Sequence, residues 1–188
     1  MTDKEKSTPP GSCDWVPEEG QEETTGGTCD WGGPPQKAGD NRSAFYPFRA
    51  DFTWEGVPQE RYKAEEGGWT AISRNVLVGS RGESTRFDLR YFEVAPGGHS
   101  SLEKHVHEHV VVCIRGRGKV LAGGKVREMN FLDTAYIAPD DPHQLLNPFE
   151  EPFGFFCIVN HDRDRPRRLE AAELQEILSG EAGTMVRS

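Results

Sequence analysis

Between Thr70 and Asn160 the chain is broken into short runs of β-forming residues separated by glycine and proline, and this punctuation limits the available folds more than any other feature. The runs cover 70–78, 85–95, 105–115, 119–122, 134–138, 144–146 and 153–160. Strands this short and this closely spaced predict an all-β sandwich or barrel. The last stretch follows another rule: Leu169, Leu174, Ile177 and Leu178 recur at helical intervals among Glu and Ala, predicting one short helix that ends near Gly180.

The 188 residues suit one core plus an extension. Residues 1–44 hold seven glycines and five prolines, and apart from Met1 their apolar side chains are Trp15, Val16, Trp31, Ala38 and Ala44. Such a stretch buries too little surface to offset the entropy of ordering it, so 1–44 is expected to be a disordered acidic tail. Within it Cys13-Asp14-Trp15 recurs as Cys29-Asp30-Trp31. Two copies are too few for a repeat architecture, and in so polar a context the recurrence reads as linker rather than as a docking motif or metal-capturing thiol pair. Composition changes at Phe45, where Phe45, Tyr46, Phe48, Phe52, Trp54, Tyr62 and Trp69 begin an aromatic lead-in able to cover a barrel surface. The expected division is therefore tail 1–44, barrel with lead-in 45–165, and helix with tail 166–188.

With 22 Lys+Arg against 31 Asp+Glu, the formal charge of −9 repels phosphate backbones and anionic membranes, which argues against nucleic acid or a membrane as partner. The N-terminus Met1-Thr2-Asp3-Lys4-Glu5-Lys6 offers no apolar signal core, so a cytoplasmic location is expected. In that compartment Cys13, Cys29, Cys113 and Cys157 are expected to be free thiols.

The chemistry concentrates in histidines. His99, His105, His107 and His109 lie within eleven residues, and His143 follows farther on. Because residues two apart share a strand face, Glu103, His105, His107 and His109 can converge if the segment stays extended. Imidazoles with a carboxylate suit one divalent first-row transition metal (Mn, Fe, Ni, Cu or Zn), whereas Mg and Ca prefer oxygen ligands.

Gly97 to Gly118 followed by Asp133 to Asn147 resembles the two motifs of the cupin superfamily. With Gly97 and Gly116 as anchors, Glu103 stands where the first motif has a histidine, His105 at the second histidine, and His109 where the motif has a glutamate. In the second motif His143 and Asn147 match, while Leu132, Ala138 and Asp140 stand where the family has Gly, Pro and Gly. The resemblance implies a cupin double-stranded β-helix, or jelly-roll barrel, over roughly 70–160. It also implies a metal held by Glu103, His105, His109 and His143, with His107 as the alternative fourth ligand, and a homodimer. His99 lies before the ligand strand and is expected to be out of reach. By alternation Cys113 faces the core, and Cys157, on the last strand, is a core residue or a thiol near the metal.

Cupins include dioxygenases, oxalate-degrading enzymes, isomerases, lyases and binding proteins, so the fold alone does not choose among activities. The leading expectation is a metal-dependent dioxygenase-type oxidoreductase acting on a small organic molecule. A redox-neutral isomerase or lyase, with Glu103 as general base, is the alternative, and a small-ligand binding or sensing cupin is a further one. One consequence concerns the tail. Deleting residues 1–44 should leave the thermal midpoint nearly unchanged in a melting experiment, since the tail has almost nothing to bury.

Overall fold

The computed structural model describes residues 43–62 and 68–187. The expected tail, apart from Ser43 and Ala44, and the Cys-Asp-Trp pair lie outside the described residues. Nine strands follow one another: β1 (Gln59–Arg61), β2 (Thr70–Val78), β3 (Phe87–His99), β4 (His109–Arg115), β5 (Gly118–Ala122), β6 (Lys125–Met129), β7 (Thr134–Ile137), β8 (Gln144–Leu146) and β9 (Phe153–Asn160). One helix, α1 (Ala171–Ser179), comes last. The strands pair antiparallel in the order β6-β5-β8-β3-β9-β4-β7, with β2 on β3 and β1 on β2, forming a near-closed barrel.

The in-register alignment of β3, β9 and β4 decides what the barrel contains. Arg90, Cys157 and Val111 are opposite one another across the three strands, as are Phe92, Phe155 and Cys113. Successive strand residues face opposite sides, so these rows point inward together. Val94, Val111, Cys113, Phe153 and Ile137 are fully buried in one core cluster with Phe92 and Phe155. On the outer face Tyr91 and Leu77 pack with Trp54 and Val57 of the lead-in, with Phe52 stacked on Tyr91. The aromatic lead-in thus covers barrel surface, while Phe45 and Phe48 stay exposed.

Three expectations shift. The run expected as one strand over 105–115 pairs only from His109 onward. The amides of Val106 and His107 donate to the Asp164 carboxylate instead of to a neighbouring strand, which bends the chain out of the ladder. β3 runs past Ala95 to His99 by absorbing Pro96-Gly97-Gly98 as an irregularity against β2, with Gly97 at φ +74°. And β6, too charged to stand out as a strand, closes a hairpin with β5 through Gly123-Gly124, both at positive φ as a two-residue turn requires. The helix meets the expectation. Glu170 and Glu173 form a reciprocal capping box and Gly180 ends it.

Leu132 and Asp140, standing where the cupin pattern has glycine, take φ of +70° and +59°. The turn is kept and the strain of a side chain in the left-handed region is accepted, least so for Asp.

Gly118 leaves no room for a side chain, because a Cβ there would lie 2.1 Å from the Phe153 ring. Gly118→Ala must displace a fully buried phenylalanine and should cost about 1–3 kcal/mol of unfolding free energy. Denaturant titration checks this.

Candidate metal centre

Two stretches of backbone build the site by clasping each other. Glu103 and His143 exchange amide bonds at 3.2 and 3.0 Å, and the His105 carbonyl accepts from the Asp140 amide at 2.7 Å. These bonds bring His143 against a segment forty residues earlier in the chain. Asn147 holds the exit of the second stretch by donating to the Val94 and Glu151 carbonyls and accepting from the Phe149 amide. From the other side, Lys104 pairs with Arg167 through the backbone and with Glu173 of α1 through its ammonium.

Four imidazoles gather inside this clasp. Ring centroids of His105 lie 4.7 Å from those of His109 and His143, and His109 is 5.2 Å from His143. Each ring has its Nδ1 occupied: His105 by the His107 carbonyl at 2.7 Å, His143 by the Asp141 carbonyl at 2.8 Å, His107 by the Asp164 carboxylate at 2.6 Å, and His109 by the Cys157 sulfur at 3.3 Å. A carbonyl only accepts, so for His105 and His143 the proton sits on Nδ1 and the Nε2 lone pair is free. The Nε2 atoms of His105 and His109 are 3.0 Å apart, and His143 Nε2 is buried without a partner. Lone pairs converging in a buried place call for a cation or a shared proton, and orientation of one imidazole nitrogen by a hydrogen bond on the other is how metal-binding histidines are held.

Electrostatics favours the same state. Burial, reinforced by His143 and His107, pushes His105 down to about 4. Burial first, then His143 and His105, lowers His109 further, and burial lowers His143. At neutral pH these rings are uncharged, and protons do not compete for the nitrogens that a metal would use. Asp164 is held well below the usual carboxylate range, first by the Val106 amide and then by His107.

Ligand atoms of His105, His107 and His109 lie within 4.8 Å of one another, and so do those of Glu103, His105 and His143. All five residues expected at the site are therefore brought together, and His105 belongs to both groups. His99 belongs to neither, its Nδ1 facing the Ser100 carbonyl. Cys113 lies in the core cluster. Cys157 lies at the site, with Arg90 donating to its sulfur at 3.3 Å. Burial raises the Cys157 thiol, and Arg90 opposes that shift. Sequence reasoning missed Arg90 and Asp164. Arg90 has a signal, being a cation two residues before Phe92 on an inward-facing strand row; Asp164, in the loop after β9, has none.

A cavity of about 180 Å³ opens on Glu103, His105, His107, His109 and Cys157. Besides Glu103 and the histidines of the 105–109 segment, Tyr62, Trp69, Phe92 and Phe155 line it as an aromatic wall, with Arg74, Arg90, Arg163 and Cys157.

A small antiparallel barrel that gathers neutral imidazoles and a carboxylate at a cavity is the architecture of the cupin class, with a cluster that could hold a metal ion. The model of the cupin domain matches residues 90–159, which span Arg90, the histidines and Cys157. The 1-methylthio-D-xylulose 5-phosphate methylsulfurylase of Rhodospirillum rubrum is 39% identical over 140 residues, covering 73% of this chain and 88% of that protein. A cupin 2 conserved barrel protein from Rhodopseudomonas palustris superposes with a TM-score of 0.71 at 33% identity, covering 77% of this chain and all (100%) of that one. A cupin-2 domain protein from Rhodospirillum rubrum gives a TM-score of 0.66 at 37% identity, covering 74% and 93% of the respective chains. The chain belongs to the cupin family.

For the donor set we propose Glu103, His105, His109 and His143. The His105 and His107 rings stack 3.5 Å apart at 3°, closer and more parallel than His105 and His109 at 4.7 Å and 16°, whose Nε2 atoms approach to 3.0 Å. Since an imidazole lone pair lies in its ring plane, an ion on His105 Nε2 is shared more readily with His109 than with His107. Elemental analysis should find that Glu103→Gln loses bound metal while His107→Ala keeps near-wild-type stoichiometry. His105→Ala should lose most of it.

Proposed function

We propose that this cupin is a metal-dependent enzyme that removes the methylthio group from a small phosphorylated keto sugar and passes it to a thiol. The observation that carries the proposal is the position of Cys157, whose sulfur lines the cavity within 3.3 Å of both His109 Nδ1 and Arg90. The methylthio sugar phosphate in the name of the 39% identical relative supports the same substrate class.

The residues at hand suit such a reaction. A divalent metal held by the proposed donors would act as a Lewis acid toward the substrate carbonyl. Tyr62 meets Trp69 and Phe92 edge-on at 4.7 and 5.0 Å, and Phe92 stacks with Phe155, giving an apolar wall against which a thioether packs well. Attack of the Cys157 sulfur on the substrate sulfur would form an S–S bond and break the C–S bond. That bond's electron pair stays on the carbon beside the carbonyl, which takes up a proton. Cys157 then carries the methylthio group as a mixed disulfide, and a second thiol collects it by exchange, restoring the Cys157 thiol. Arg90 donates to the Cys157 sulfur and opposes the burial that raises its thiol, and with a metal on its Nε2 His109 would donate its Nδ1–H to the same sulfur and help to aim it.

Dioxygenase chemistry is the second reading, favoured by the histidine-rich donor set, which also suits a redox-active metal. Cys157 separates the two. Cys157→Ser should bind metal as the wild type does yet lose turnover of a methylthio pentulose phosphate by on the order of 10³-fold or more. Mass spectrometry of wild-type protein quenched during turnover should find a methylthio adduct on Cys157. Oxygen uptake coupled to turnover, with full activity in Cys157→Ser, would replace this reading with the dioxygenase one.

A further inference from the structure

Arg90 is a cation in the wrong place for a purely structural residue. Only 6% exposed, it stands on the inward face of β3 opposite Cys157, in a row that continues to Val111. Its guanidinium lies 5.1 Å from the centre of the Phe92 ring and donates to the Cys157 sulfur, while its Nε is buried with no partner. Neighbouring arginines are matched with carboxylates: Arg74 with Glu60, Arg163 with Asp88 and Arg115 with Glu93. Arg90 has no such partner among the described residues. A buried charge without a counter-ion is costly, and chains keep one where a ligand supplies the missing charge.

We propose that Arg90 is the anchor of an anion subsite inside the barrel, which takes the phosphate of the substrate and so sets the distance between that phosphate and the histidine cluster. This deepens the reading above and rests on it for the identity of the anion. The cavity that exposes the histidines is the one that Arg90 lines, so one small molecule can touch both. Arg74 lines it too, and its Nε is likewise buried without a partner although its Nη2 holds Glu60. The carboxylates on the same cavity are already engaged. Asp164 accepts from the amides of Val106 and His107 and from the His107 ring, and Glu103 accepts from the Ser101 hydroxyl. A phosphate matches the planar fork of a guanidinium with two parallel hydrogen bonds, which a single thiol cannot do.

Titration calorimetry of the metal-loaded protein with inorganic phosphate tests the subsite without any turnover. Wild-type protein should bind phosphate, Arg90→Met should bind it at least tenfold more weakly, and Arg90→Lys should fall between them. Without phosphate, Arg90→Met should melt at the same temperature as wild type or higher, because an apolar side chain of similar length replaces an unmatched buried charge. In turnover assays the Arg90→Lys variant should show a raised KM with a smaller change in kcat. Equal phosphate affinity in wild type and Arg90→Met would overturn the subsite, as would a large fall in melting temperature. Unchanged phosphate binding with slowed alkylation of Cys157 by iodoacetamide would assign Arg90 to the thiol and overturn it as well. Weakened phosphate binding in a protein that shows no methylthio transfer would uphold the subsite and discard the transfer reaction.

Discussion

The in-register antiparallel pairing of β3, β9 and β4 is the constraint on which the site depends. Since side chains alternate strictly between the two faces, one register places Phe92, Phe155 and Cys113 in the core and, one step along, Arg90 and Cys157 beside the cavity. A slip of one residue would turn Arg90 and Cys157 outward and turn Tyr91 and Phe156 from the outer face into the barrel. The packing of Trp54 and Phe52 on Tyr91 from outside opposes such a slip, so the aromatic lead-in helps to hold the reactive groups inside.

The histidines obey a different logic. Their segment leaves the ladder, and their geometry is set by what occupies Nδ1 rather than by strand pairing. Two carbonyls, a carboxylate and a thiol each take one Nδ1, and burial keeps the rings neutral. Asp164 serves twice, binding the amides that the bend leaves unpaired and orienting His107 over His105. Removing a strand's hydrogen bonds at 105–107 is costly unless another acceptor is supplied, and this carboxylate supplies it.

The cavity therefore joins two kinds of group, imidazole nitrogens that converge and a guanidinium with no carboxylate partner among the described residues. A core built for stability alone would contain neither, since apolar residues of similar volume would serve better. Their coexistence in about 180 Å³ favours a ligand that is small, carries negative charge and presents an oxygen to a metal.

Much of this could be read from the sequence. Short runs closed by Gly and Pro specify an all-β chain, and the boundaries of β2, β8 and β9 follow directly from them. The resemblance of Gly97, Glu103, His105, His109, Gly116 and His143 to the cupin motifs points to the two segments that the fold brings together, and strand alternation alone gathers Glu103, His105, His107 and His109. The strand status of 105–108, the hairpin strand β6 and the extension of β3 through Pro96-Gly97-Gly98 were decided elsewhere. Each depends on a hydrogen-bond partner distant in the chain, and local propensity carries no record of it. Arg90 and Asp164 belong to that second group. What makes an arginine a ligand anchor is the absence of a carboxylate in three dimensions, and what makes a loop aspartate a clamp is the presence of a histidine 57 positions away; only tertiary structure determines either.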